Sequence, residues 1–277
     1  MALTIFFISF FVLLFLGFRV ALALAVPSVF YLLYIGIPLP TLAMRIVTSL
    51  NSFPILAALF FILAGNLMNE CRITNRIFDF ASNTVGHWRG GLGHANVIAS
   101  VIFSGMSGSA LADAAGLGTI EIEAMTERGY NREFSVGITG ASSIIGPIIP
   151  PSIPIIIYAV IAEVSVGRLF AAGIIPGLLM GISLSIMIVV ISKKRDFPIS
   201  ERASLKTIWK SFIKTFPALL VIVVILGGIF GGFFTPTEAA VVTVLYTILI
   251  SIFIYKTFNL RLFNRTLYNS ARTTILI

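Results

Sequence analysis

The stretch Ser104-Gly105-Met106-Ser107-Gly108-Ser109-Ala110-Leu111-Ala112-Asp113-Ala114-Ala115-Gly116 lies in the middle of an otherwise apolar segment, Leu92 to Met125. Its residues are small, so backbones can approach one another closely, and its glycines permit a reversal of direction. Non-helical backbone at membrane depth survives only where it is buried in protein or lines a polar cavity. Whether the segment turns back or runs straight through decides the fold, and the sequence on either side supplies the answer.

That surrounding sequence is lipid-compatible. Of 277 residues, 58% are hydrophobic and 11% charged, and the mean hydropathy is +1.04. Soluble domains carry about 25% charged residues, so this chain cannot cover a water-facing surface. One helical crossing needs about 20 apolar residues. Residues 20–44, 46–69, 134–162, 169–192 and 215–237 meet that length without a long charged interruption. A membrane barrel would show alternating segments of about ten residues, which are not seen. The expected fold class is all-α, a polytopic integral membrane protein in the lipid bilayer.

The formal charge of +8 comes from 19 Lys and Arg against 11 Asp and Glu. The basic residues fall between apolar runs, where the positive-inside rule accounts for them, so no nucleic acid is expected as a partner. Cys71 is the one cysteine, and His87 and His94 are the only histidines. Neither a disulfide nor a Cys/His metal cluster is expected from that set. Residues 3–16 are apolar but no Lys or Arg precedes them, so they read as a retained membrane segment rather than a secretory signal.

Read in order, residues 2–35 form either one long bent helix or two short ones, with Arg19 and Pro27 as the interruptions. Ile46 to Met68 is the next segment, followed by a polar stretch from Asn69 to Gly91. Residues 193–214 hold Lys193, Lys194, Arg195, Arg202, Lys206, Lys210 and Lys214. Leu205, Ile208, Trp209, Phe212 and Ile213 repeat there at helical spacing, which predicts an amphipathic helix over 203–214 lying at the cytoplasmic interface. Thr235-Pro236-Thr237-Glu238 reads as N-cap, first-turn proline and capping-box glutamate, so a helix should start there and run to about Tyr255. The working division is 1–91, N-terminal membrane helices; 92–162, a re-entrant hairpin plus a broken helix; and 163–277, membrane helices with the amphipathic helix 203–214.

Charge parity now bears on the opening stretch. Both basic regions, 69–91 and 193–214, should face the cytoplasm. The two crossings 134–162 and 169–192 lie between them, so Leu92 to Met125 contributes either none or two. Two full crossings need about 40 apolar residues, more than the segment has, and Asp113, Glu121 and Glu123 lie within it. The expectation is a re-entrant hairpin that enters and leaves on one side.

Two irregular places then carry the chemistry. At the hairpin tip, the Ser107 and Ser109 hydroxyls and freed carbonyls are hard oxygen donors suited to a small cation. Asp113 is either an intramembrane functional carboxylate or the N-cap of the second leg, whose helix N-terminus would favour an anion. The second place is Ala141-Ser142-Ser143-Ile144-Ile145-Gly146-Pro147-Ile148-Ile149-Pro150-Pro151-Ser152. Its prolines remove donors and clash with carbonyls one turn earlier, so the helix must break. A re-entrant element beside a broken helix is how secondary transporters build substrate and ion sites.

At these residues the sequence resembles the large membrane (M) subunit of tripartite ATP-independent periplasmic (TRAP) transporters. The similar stretches are Asn51-Ser52-Phe53-Pro54, Phe60 to Gly65, Gly90 to Gly93, Ser107 to Asp113, Gly146 to Pro154, and Phe234 to Ala239. Arg19 departs from the proline that the family tends to have in its first segment. The resemblance implies a sodium-driven, elevator-type importer of a small organic anion such as a C4-dicarboxylate, sugar acid or sialic acid, in the bacterial inner membrane. It implies two partners, a small four-helix membrane (Q) subunit and a periplasmic solute-binding (P) protein, and no cofactor beyond the coupling sodium ion. Sodium contacts are carried onto Ser107, Gly108, Ser109, Ser142, Ser143 and Gly146, and substrate or transport roles onto Asp113, Pro147, Pro150, Pro151 and Ser152. The second hairpin and second broken helix of the family are not in this sequence, so the chain is expected to be a C-terminally truncated piece.

Rival readings from the residues alone are an unrelated secondary transporter, an ion channel and a polytopic membrane enzyme. No phosphate-cradling Gly-rich loop with Lys points to a pump. The carboxylates lack the clustered nucleophile and base that an active site needs, so no catalytic residue is assigned.

Overall fold

The computed structural model describes residues 2–50, 53–195 and 197–276, and among them every regular element is a helix. Asn51 and Ser52, part of the first family-like stretch, lie outside the described residues. The chain divides into two compact units, Met1–Ser52 and Phe53–Ile277.

In the first unit, α1 (Ala2–Phe15) and α2 (Val20–Tyr34) pack on each other, and α3 (Leu39–Leu50) follows. Of the two readings for residues 2–35, two short helices is the observed one. The break falls at residues 16–19, where Gly17 takes φ +83°, a conformation that glycine adopts without penalty. Pro27 is accommodated inside α2.

The second unit is built around α4 (Phe53–Glu70), whose Ala57, Phe61, Ala64, Leu67 and Met68 are fully buried. The expected segment from Ile46 to Met68 falls on the end of α3 and on α4, and its join at Asn51 and Ser52 lies outside the described residues. The polar stretch after α4 contains a further helix, α5 (Ile73–Val85), with Ile73, Thr74, Ile77, Phe78, Ala81 and Val85 turned inward. Its many polar residues hid a helical period.

Next come α6 (Gly91–Ser107), a turn at 108–109, α7 (Ala110–Ala112), a π-helical turn (Asp113–Leu117) and α8 (Gly118–Glu127). This is the re-entrant hairpin, and its two ends lie together. The Leu92 amide donates to the Tyr130 hydroxyl at 3.4 Å, and that hydroxyl donates to the Pro198 carbonyl at 3.3 Å. The Ser200 amide donates to the Gly86 carbonyl at 3.4 Å, while Arg128 donates to the Ser200 hydroxyl at 3.2 Å. The rings of Tyr130, Phe134 and Phe197 stack over this junction, with Tyr130 and Phe197 4.8 Å apart. Burial holds the Tyr130 phenol above its ordinary pKa, opposed by the Leu92 amide and Arg128. Residues 86–92, 128–131 and 197–200 thus meet at one end of the molecule, as charge parity required.

The chain continues through α9 (Arg132–Ser143), an irregular stretch, and α10 (Ile153–Ile161), then α11 (Val166–Lys194), α12 (Leu205–Phe230), α13 (Pro236–Phe253) and α14 (Leu260–Leu276). Four of these helices, α4, α11, α12 and α13, are long and apolar enough to cross a membrane. The segment 203–214 is not a separate interfacial helix. Residues 205–214 are the first turns of α12, which passes Pro217 without interruption. On their apolar side Phe212 packs on Phe80 at 5.8 Å, and beside it Asn83 donates to Ser211, while Leu205 and Ile213 stay exposed. Trp209 stays exposed. The capping box at Thr235 and Glu238 forms as read, and Thr237 ties α13 to the start of α4 through the Phe53 carbonyl at 2.9 Å. At the opposite end, Arg76 sits 4.3 Å from the Tyr255 ring centre, and the Tyr255 hydroxyl donates to the Lys214 carbonyl.

Candidate functional site: hairpin tip and proline break

The hairpin reverses at Gly108, which takes φ +62° and closes α6 by donating to the Ser104 carbonyl. A side chain there would strain the backbone and strike the Pro151 carbonyl. The tip therefore sits directly against the proline break. The Ile153 amide donates to the Gly108 carbonyl at 3.3 Å. From the other side, a Cβ added at Gly146 would lie 3.2 Å from the Ser109 carbonyl carbon and 3.3 Å from the Ala110 nitrogen. Two glycines, one on each element, permit this approach. The irregular places read separately in the sequence are one place in space.

Around the contact, oxygen is plentiful. Ser107 is fully buried and its hydroxyl has no partner, as does that of Ser104 one turn earlier. On α9, Ser142 donates to the Asn96 side-chain oxygen at 2.7 Å and accepts from Ser100 at 3.1 Å. Asn96 in turn donates to Thr139 at 2.7 Å, so α6 and α9 are joined by a buried polar chain. Ser143 donates to the Gly140 carbonyl. Within the break, Ser152 caps α10 by accepting from the Ile155 amide at 3.3 Å and donates to the Pro147 carbonyl. The Pro150–Pro151 bond is cis. Pro147, Pro150 and Pro151 leave nearby carbonyls without helical donors.

Of the residues singled out in the sequence, Ser107, Gly108, Ser109, Gly146, Pro151 and Ser152 come together here. Ser142 and Ser143 stand at the end of α9 leading into the break. Asp113 stands beside Ser100, whose hydroxyl donates to Ser142 at 3.1 Å. The N-cap of the second leg is Ser109, whose hydroxyl accepts from the Ala112 amide at 3.3 Å, so the N-cap reading of Asp113 is corrected. The leg also begins earlier than expected, at Ala110. Asp113 instead opens the π turn and is 1% exposed, with neither carboxylate oxygen hydrogen-bonded. Sequence reading missed Asn69, which donates to the Ala112 carbonyl at 3.0 Å, and the polar network of Asn96, Ser100 and Thr139. Their types were visible, but their convergence depends on helix pairing.

A cleft of about 810 Å³ opens beside the tip, lined by Asn66, Asn69, Thr74, Ser109, Thr119 and Asn269 among others. It lies between α4, α14 and the outer face of the hairpin's second leg.

A polytopic helical membrane protein whose re-entrant tip docks on a proline-broken helix has the build of a secondary transporter. Comparison with known families agrees. The family described as the tripartite ATP-independent periplasmic transporter, DctM component, matches residues 7–277, and the chain belongs to it. It is 51% identical over 226 residues to the sialic acid TRAP transporter permease protein SiaT of Haemophilus influenzae, covering 82% of this chain and 36% of that protein. It is 48% identical over 235 residues to the sialic acid TRAP transporter large permease protein SiaM of Vibrio cholerae, covering 85% and 55%. With the C4-dicarboxylate TRAP transporter large permease protein DctM of Rhodobacter capsulatus the identity is 38% over 255 residues, covering 87% and 58%. The chain thus spans between about a third and three-fifths of the length of these relatives.

Proposed function

We propose that this chain is the large permease subunit, or the hairpin-bearing part of one, of a sodium-coupled, binding-protein-dependent importer of organic acids in the bacterial inner membrane. The observation that carries the reading is the tip-to-break contact, Gly108 on Pro151 and Gly146 on Ser109, with unpartnered Ser107 and Ser104 hydroxyls beside it. Hard oxygen donors at a chain reversal suit a dehydrated alkali cation far better than a soft metal. Ser107, Gly108, Ser109, Ser142, Ser143 and Gly146 would supply hydroxyls and carbonyls to sodium. Pro147, Pro150, Pro151 and Ser152 would hold the broken backbone toward substrate, with Asp113 tuning the site's charge.

The substrate class follows from the relatives, two named for sialic acid and one for C4-dicarboxylates. All are carboxylate-bearing anions. Partners of the Q and P types, and elevator motion of the hairpin-bearing part, belong to the same proposal.

Proteoliposome uptake tests it, with the chain reconstituted together with a Q-type membrane subunit and a P-type binding protein. Labelled sialic acid or succinate should accumulate only with an inward sodium gradient and the binding protein present. Uptake indifferent to both would overturn the reading.

A further inference from the structure

Glu121 lies on α8, two turns beyond Asp113, and is 0% exposed with neither carboxylate oxygen hydrogen-bonded. In a regular α-helix, residues eight apart point about 80° away from one another. The π turn at Asp113–Leu117 inserts one extra residue, so the two carboxylates are separated by seven effective helical steps, which brings them within about 20°. The inward stripe is then Asp113, Leu117, Glu121 and Met125, all buried. The cleft is lined by the other side of the same leg, Ala112, Ala115, Gly116, Thr119 and Ile120. Glu121 therefore faces protein and not the cleft.

The protein that it faces is close-fitting. A Cβ added at Gly118 would come 2.6 Å from the Thr139 methyl group, so α8 rests tightly on α9. The titratable and charged groups on the packed elements are His94 on α6, Arg132 and Glu133 on α9, Glu123 and Glu127 on α8 itself, and Asp113 on the π turn. Those packed against the π turn add Glu70 on α4, and Arg76 and Asp79 on α5, with Arg72 between those two helices. Among the described residues the one ion pair is Glu70 with Arg265, and Arg76 is engaged over the Tyr255 ring. No cation pairs with Glu121; the charge coupled to it is Asp113, of the same sign. An ionised carboxylate without a partner in such surroundings is costly enough that the group neutralises instead.

We propose that Glu121 is a proton-binding site, holding a proton as a neutral acid while the second leg is packed as here and releasing it when that face meets water. The hairpin would thus carry a proton independently of any cation at its tip. This goes beyond the transport reading and stands whether or not sodium drives uptake.

Infrared spectroscopy of the chain in lipid bilayers tests it without requiring transport. The C=O stretch of a protonated, buried carboxylic acid should be present at neutral pH, disappear as pH is raised, and shift when glutamate is isotope-labelled. Glu121 is the one fully buried glutamate among the described residues, so that labelled signal should vanish in Glu121→Gln. The same variant should melt at or above the wild-type temperature at neutral pH. Its midpoint should fall less steeply with rising pH than that of the wild type, because the folded state has lost one proton that the unfolded state gives up while buried Asp113 remains. Absence of the signal in the wild type would overturn the proposal, as would its persistence in Glu121→Gln or sodium-dependent protection of the wild type that the variant loses. Should Glu121→Gln fail to fold, the isotope-labelled wild-type titration decides alone.

Discussion

Gly108 turns the hairpin tip, and Gly65 on α4 leaves room for it. Gly108 combines a left-handed backbone with contact to the Pro151 carbonyl, and a Cβ on Gly65 would lie 2.8 Å from the Ser107 Cβ. Gly108→Ala should cost about 1–3 kcal/mol, from the strained φ and the displaced carbonyl. Lower thermal midpoints in detergent would show it, and an unchanged midpoint would mean that the tip is looser than described. Ser142→Ala removes the donor that satisfies Asn96, a buried loss of about 1 kcal/mol for a membrane-embedded bond. Ser143→Ala, which loses only a bond to its own helix at Gly140, should cost less, and comparing the two midpoints checks the difference. Both serines were legible in the sequence as oxygen donors. Their unequal roles were not, because nothing local reveals that Asn96 lies opposite Ser142.

Elements show where sequence reading succeeds and where it stops. The helix break after Ser143 was legible because prolines act on their own backbone, whatever they pack against. The Thr235 cap was legible for the same reason, and Thr235→Ala should cost about 1 kcal/mol, measurable as increased amide exchange in the first turn of α13. By contrast α5 and α14 are short on apolar residues, and their helicity depends on the faces they bury against α12 and α4. The start of α12 had the moment of an interfacial helix, and it runs on without a break into a crossing, with Phe212 on Phe80 and with Leu205, Trp209 and Ile213 exposed. A moment identifies a side that must be covered and is silent about what covers it. The π turn was invisible because Asp113 to Leu117 contains no residue that forbids an ordinary helix. Deleting Ala115 should convert it to one. Asp113 and Glu121 would then stand seven residues apart in a regular helix, still within about 20° of each other, so the labelled glutamate signal should persist, and its loss would mean that the extra residue does not set their register.

For the molecule as a whole, topology was readable from charge. Seven basic residues at 193–214 admitted only an even number of crossings after the first basic stretch, and the bonds joining Leu92, Tyr130 and Pro198 agree. Cysteines placed at Gly91 and Arg128 should react with an impermeant reagent from the same side of a sealed vesicle. Cys71 is 1% exposed and should contribute little background. Labelling from opposite sides would refute the hairpin. What charge could not supply was the docking of tip on break, since both are uncharged and far apart along the chain. Tyr130→Phe should loosen the junction by about 1 kcal/mol for each of its two bonds, seen as faster proteolysis near Pro198. That junction has an evolutionary corollary. Three loops that are distant along the chain are fitted to one another through Tyr130, Ser200 and Gly86, so they form a single unit of variation. Homologues that lengthen one of them should carry matching changes in the other two, and grafting any one loop alone from a relative should give a poorer protein than grafting the trio.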